Sequence, residues 1–189
     1  DTAKAFEKEN AAKAITAFLY PNDSTEDGKK LRLRQQYFFT CAALQNILSE
    51  IYDEKHFEDI SNRIAIQLND THPTVAIAEF IRLIMKRGKS FDFAFDTAQK
   101  IFSYTNHTVM SEALEKWNAE MFSSLLPEVY DVIEKINAKL VADLKKKTDR
   151  LDECLIIKDG LVHMANLACY VCSHINGVAK IHSDIIARS

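Results

Sequence analysis

Apolar residues recur at helical spacing along most of this chain, and the exceptions are short apolar runs that end in polar knots. Residues 3 to 19 predict a helix that stops before Pro21, because the residue preceding a proline is pushed out of helical geometry. Asn22 to Gly28 reads as a polar loop. From Lys29 to about Glu54, Leu31, Arg34, Phe38, Cys41, Leu44, Leu48 and Ile51 mark a long amphipathic helix. Thr74 to Lys86 is apolar almost all round, so a helix there must be covered on most sides. Pro73 suits its first turn, where an N–H has no partner anyway. Phe91 to Lys100 predicts another helix, and Ser111 can cap a further short one with Glu112 and Glu115 in its first turns. Pro127 then opens the cleanest stripe of the chain: Val129, Val132, Ile133, Ile136, Leu140 and Leu144.

Between these helices lie runs that suit strands. Ile64 to Leu68 and Ile101 to Tyr104 are short and rich in strand formers. Cys154 to Ile157 is a third, ending in a turn at Asp159-Gly160 that leads to a helix of about ten residues. An extended segment at Ser173 to Val178 and a last helix from Ala179 complete the pattern. Strands alternating with helices predict an α/β class: helix-rich, with a short parallel sheet flanked by helices. No linker-like or low-complexity stretch divides the chain, so residues 1–189 read as a single domain. Asp1 opens directly into helix-forming sequence with no initiating Met, which suggests a piece of a longer protein.

Two of the strands carry like polar knots, Ile64-Ala-Ile-Gln-Leu-Asn-Asp-Thr-His-Pro73 and Ile101-Phe-Ser-Tyr-Thr-Asn-His-Thr-Val109. In an open α/β sheet ligands bind outside the carboxyl ends of the strands, so knots on neighbouring strands would outline one site. Asn, Asp, Thr and His offer donors and acceptors in both senses, as a sugar with mixed hydroxyls requires. The same residues could simply cap the helices that follow, as Thr71 and Ser111 can. The physics of the residues leaves both readings open.

Composition narrows the chemistry. The chain has 24 Lys and Arg against 27 Asp and Glu, a net charge of −3, with no basic face to hold nucleic acid. Its one run of like charge, Lys145 to Lys147, ends a helix, where cations complement the dipole. No apolar run approaches the roughly 20 residues that cross a bilayer, and the polar Asp1 to Asn10 is unlike a signal peptide, so no membrane partner and a cytoplasmic location are expected. The four cysteines, Cys41, Cys154, Cys169 and Cys172, sit in apolar segments and read as reduced, buried thiols. Three Asn-x-Ser/Thr sequons begin at Asn22, Asn69 and Asn106, all within polar knots, and are not read as glycosylation acceptors. The four glycines, at 28, 88, 160 and 177, are too scattered for a phosphate-cradling loop. Asp70-x-His72 lacks a second ligand pair, so no metal site is expected.

Seven blocks follow one another along the chain: Leu19-Tyr-Pro-Asn-Asp23, Leu31-Arg-Leu-Arg-Gln-Gln-Tyr-Phe38, Ile66-Gln-Leu-Asn-Asp-Thr-His-Pro73, Tyr104-Thr-Asn-His-Thr-Val109, Glu112-Ala-Leu-Glu-Lys-Trp117, Leu125-Leu-Pro127 and Asn176-Gly-Val-Ala-Lys-Ile-His-Ser183. In this order they resemble the glycogen and maltodextrin phosphorylases, an α-glucan phosphorylase family. The resemblance implies a two-domain (GT-B type) glycosyltransferase, with this chain the later part of its N-terminal, Rossmann-like domain. It further implies a parent that cleaves α-1,4-glucan ends with phosphate, releases glucose 1-phosphate, uses pyridoxal phosphate and forms a homodimer. The family's cofactor lysine motif and basic phosphate cluster are absent here, so this fragment is expected to bind no cofactor, to hold no complete catalytic set and to be inactive alone.

Residue by residue, the resemblance makes His107 a contact for the hydroxyls of the reacting glucose, beside Asn106 and Thr108, and Val178 a lining residue of that pocket. Asp70, His72, Glu112 and Glu115 match positions around a side channel near the anomeric carbon, and Asn22 and Asp23 match a loop that gates the site. In these terms residues 1–19 are a subunit-contact helix, 20–28 the gate loop and 29–189 the α/β body. Two other readings stand beside this one: a stand-alone α/β carbohydrate-binding module without cofactor, and a helical interaction domain whose knots are only caps.

Overall fold

A computed structural model describes residues 2–19, 21–51, 57–108, 110 and 113–179. The order is α1 (Thr2–Ala17), α2 (Glu26–Ile51), a 3₁₀ turn (Phe57–Asn62), β1 (Ile66–Asn69), α3 (Val75–Lys86), α4 (Phe91–Ile101) and β2 (Phe102–Asn106). There follow β3 (Lys116–Asn118), α5 (Ala119–Leu125), α6 (Pro127–Leu144), α7 (Leu151–Cys154), β4 (Ile157–Lys158), β5 (Leu161–His163), α8 (Met164–Val171) and β6 (His174–Gly177). The expected last helix beyond Ala179 lies outside the described residues, as do Ser111 and its capping role.

The class is as expected, a helix-rich α/β fold with a short parallel sheet. Its order is β1-β2-β6, with Leu68 beside Tyr104 and Tyr104 beside Ile175. One face, carrying Leu68, Phe102 and Tyr104, is buried against the helices. On the other face Gln67 donates to Thr105 Oγ1 at 2.8 Å and Thr105 donates to Asn176 Oδ1 at 2.9 Å, so a polar chain links all three strands.

Helix α3 is the centre of the helical layer, packed by α2, α4 and α6. Its all-round apolar sequence is answered by burial of nearly every residue from Val75 to Ile84. The one buried charge among them, Glu79, is held by Arg82 through Nε at 2.7 Å and a terminal nitrogen at 2.9 Å. Helix α6 starts at Pro127 and buries Val129, Val132, Ile133, Ile136 and Leu140, the expected stripe. Helix α2 begins earlier than expected. Thr25 accepts the Gly28 N–H on Oγ1 at 3.1 Å and the Lys29 N–H on its carbonyl at 3.0 Å, and Glu26 and Asp27 complement the dipole. The loop is thus shortened to 21–25.

The third expected strand is corrected. Leu151–Cys154 is a helical turn, and only Ile157 and Lys158 are extended. Asp159 and Gly160 both have positive φ, 51° and 72°, the geometry of a two-residue hairpin turn. It folds β5 back on β4, and with β3 they make a separate antiparallel sheet in the order β3-β5-β4. The third parallel strand is instead β6. Glu115 directly precedes β3 rather than lying in a helix. Of the cysteines, Cys172 is buried, Cys41 and Cys154 are half-buried and Cys169 is exposed on α8, against the expectation that all four are buried. All four are free thiols.

Candidate functional site

The two knots meet where β1 and β2 end side by side. After Asn69 the chain turns through Asp70 at φ 64°, a left-handed conformation that Asp tolerates better than most residues. There the Asp70 N–H donates to the Thr105 carbonyl at 2.8 Å, which ties the turn to β2. Its carboxylate accepts the Thr71 N–H at 2.9 Å and lies 3.3 Å from Thr108 Oγ1 through both oxygens. Asn106, 7% exposed, accepts the Thr108 N–H at 2.7 Å and so shapes the second turn. Thr71 and Thr74 are buried, while His72 and His107 are exposed.

A cavity of about 380 Å³ opens beside these turns. Asp70, His72 and Thr108 border it from the turns after β1 and β2, Asp23 from the 21–25 loop, Arg32 from α2, Lys116 and Trp117 from β3, and Glu115 from just before it. A second cavity of about 550 Å³ adjoins it, sharing Asp23, Arg32 and His72. Arg32 reaches Asp23 on one side and Glu115 Oε1 at 3.3 Å on the other. Gln36, one turn along α2, donates to the same Glu115 oxygen at 2.9 Å. Glu115 Oε2 and Trp117 Nε1 are buried with no hydrogen-bond partner among the described residues. Asn22 accepts the Ser24 N–H at 3.0 Å, which bends the loop.

The charges around the smaller cavity are mixed, with Asp23, Glu26, Asp70 and Glu115 against Lys29, Arg32 and Lys116. Such a wall does not concentrate anions, and it offers both donors and acceptors to a neutral polar ligand. Beneath it Tyr104 is buried, and that burial pushes its hydroxyl well above the ordinary range.

Of the site residues read from sequence, the structure gathers Asp23, Asp70, His72, Thr108 and Glu115 around one cavity. Asn106 and Asn22 stand behind it as turn formers. His107 follows β2 and Val178 follows β6, both exposed at the same end of the sheet but outside that cavity's wall. Glu112 lies outside the described residues. The sequence reading missed Arg32 and Gln36 as site residues. The sequence shows them only as a cation and an amide four apart on α2, facing away from its apolar stripe, a spacing that by itself reads as a solvated helix face.

Residues 1–189 match the family model described as carbohydrate phosphorylase. A glycogen phosphorylase of Chlamydia trachomatis is 42% identical over 193 residues, covering 97% of this chain and 24% of that protein. A cytosolic alpha-glucan phosphorylase 2 of Arabidopsis thaliana is 41% identical, covering 93% of the chain and 23% of its own length. A glycogen phosphorylase of Bacillus subtilis is also 41% identical, with 92% and 22% covered. The chain therefore spans less than a quarter of the length of these relatives.

Proposed function

Since this chain belongs to the carbohydrate phosphorylase family, we propose that it forms one wall of the sugar cleft in an α-1,4-glucan phosphorylase that releases glucose 1-phosphate. The observation that carries this reading is the shared end of the parallel sheet, where Asp70, His107 and Val178 follow three adjacent strands. On this reading His107, Asn106, Thr108 and Val178 meet the glucose ring, and Asp70, His72, Glu112 and Glu115 border the channel beside its anomeric carbon. Asn22 and Asp23 gate the entrance. The family relationship extends this to a Rossmann-like half of a two-domain enzyme acting in the cytoplasm as a homodimer, with α1 at the subunit contact.

Pyridoxal phosphate does not fit the residues described here. The lysines beside the cavity, Lys29 and Lys116, are half-exposed and exposed, and Lys29 is held by Glu26 at 2.9 Å. Neither offers the enclosed amine that such a cofactor's linkage needs, and the acidic residues around them do not form a phosphate site. The chemistry assigned to this wall is accordingly binding and orientation of sugar hydroxyls. The cofactor and phosphate contacts fall to other parts of the parent protein.

The test is phosphate-dependent release of glucose 1-phosphate from maltooligosaccharide or glycogen by the full-length protein, beside the 189-residue chain alone. Activity is expected from the former and none from the latter. A full-length protein that binds glucan but never consumes phosphate would overturn the proposal.

A further inference from the structure

Arg32 sits one helical turn before Gln36 on α2, and both side chains donate to the same Glu115 oxygen, Oε1. Its guanidinium is the one group among the described residues that pairs with both Asp23 and Glu115, which stand 92 positions apart in sequence (115 minus 23). Asp23 belongs to the short 21–25 loop, and Glu115 leads into β3. The burial of the partners is unequal. The Glu115 side chain is 10% exposed and the Asp23 side chain 53%, so the inner arm is fixed in the body of the fold and the outer arm holds a surface loop.

We propose that Arg32 is a positioning residue that latches the 21–25 loop to Glu115, setting the closure of the loop and the orientation of the Glu115 carboxylate together. This deepens the reading of the cavity as part of a sugar cleft and rests on it for its effect on turnover. The planar guanidinium suits the task because its nitrogens can serve two carboxylates at once, which a lysine ammonium does as a point charge only. Gln36 supports the inner arm alone, since its donor goes to Glu115 Oε1. Without Arg32, Glu115 keeps Gln36 but loses its cation, and Asp23 loses its tether.

The test is hydrogen exchange on the full-length protein, comparing wild type with Arg32→Met, Arg32→Lys and Asp23→Asn. In Arg32→Met, amides in both 21–26 and 113–118 should exchange roughly two- to fivefold faster, the range for a partly exposed ion pair. In Asp23→Asn only the first segment should respond, and this variant keeps the test open if Arg32→Met does not fold. Arg32→Lys should restore the loop more fully than the 113–118 segment. In glucan phosphorolysis Arg32→Met should raise KM with kcat changed less, and Arg32→Lys should recover part of the loss. Unchanged exchange in both segments, or a response confined to one of them in Arg32→Met, would overturn the latch. A wild-type protein without phosphorolysis overturns the functional reading instead, and the exchange data still decide the latch.

Discussion

His107 illustrates what a single position can be expected to contribute. It follows β2, is exposed and fills no packed space, so its removal leaves no cavity. Leu68, 2% exposed on the neighbouring strand, is the opposite case. Ile66, two residues earlier on the same strand, is only half-buried. In the full-length protein His107→Ala is expected to leave Tm nearly unchanged and to lower kcat/KM by about two- to tenfold, the loss of a neutral hydrogen bond. Leu68→Ala should cost about 2 to 5 kcal/mol in chemical denaturation. A clear fall in Tm for His107→Ala with intact kinetics would assign that residue to folding. His163 carries a different signature. Burial, and then the positive charge of Lys116 opposite it on β3, hold its pKa below the ordinary 6.5. The folded state therefore binds fewer protons than the unfolded one below that value. This part of the stability is complete above about pH 6.5 and is lost as pH falls through the folded pKa. Tm should decline as pH falls below about 6.5, and less so in His163→Gln. An identical decline in both proteins would remove His163 as the cause.

Elements joined by a buried charge set the next scale. Glu79 of α3 is fully buried, receives two hydrogen bonds from Arg82 and a third from Cys41 of α2 at 3.2 Å. Arg82 extends to Glu128 of α6 at 2.6 Å, but that carboxylate is 74% exposed. Arg82→Met strands a buried carboxylate and should cost about 3 to 5 kcal/mol, whereas Glu128→Ala should cost under about 1 kcal/mol. Equal losses in urea unfolding would contradict this division. The apolar sequence of α3 made its burial legible, yet nothing in periodicity shows that its one acid finds a partner three residues on and a thiol on another helix. The same limit explains the other differences. Long stripes such as that of α6 survive any context. The two- and three-residue strands β3, β4 and β5 carry too few side chains for a period to register, and the paired positive φ of Asp159 and Gly160 decides their direction. At the site, strand ends and their polar knots were readable because short polar residues there have few other uses. Arg32 was not, because a cation on a helix face looks solvated until the loop it holds is seen.

For the molecule as a whole, the helical layer and the two sheets share one hydrophobic core that runs from Leu33 to Cys172. This core still leaves Phe6, Phe18, Leu19, Phe38, Phe39 and Ile175 well exposed, and exposed apolar side chains of this size suit contact with other protein surface. The parallel sheet is the feature with the widest consequence. Parallel strands normally have both faces covered, yet Gln67, Asn69, His174 and Asn176 are exposed on one face, and both β1 and β6 are edges of the described sheet. Each edge carries a row of backbone donors and acceptors that another chain can read without any regard to sequence. Handled by itself, the 189-residue chain should therefore behave as a template for its own kind, with light scattering that grows with concentration and time at a fixed, non-denaturing temperature. A lysine placed at exposed Ile175 on the β6 edge should slow that growth, and if Ile175→Lys aggregates as fast as the parent chain, association starts somewhere other than the sheet.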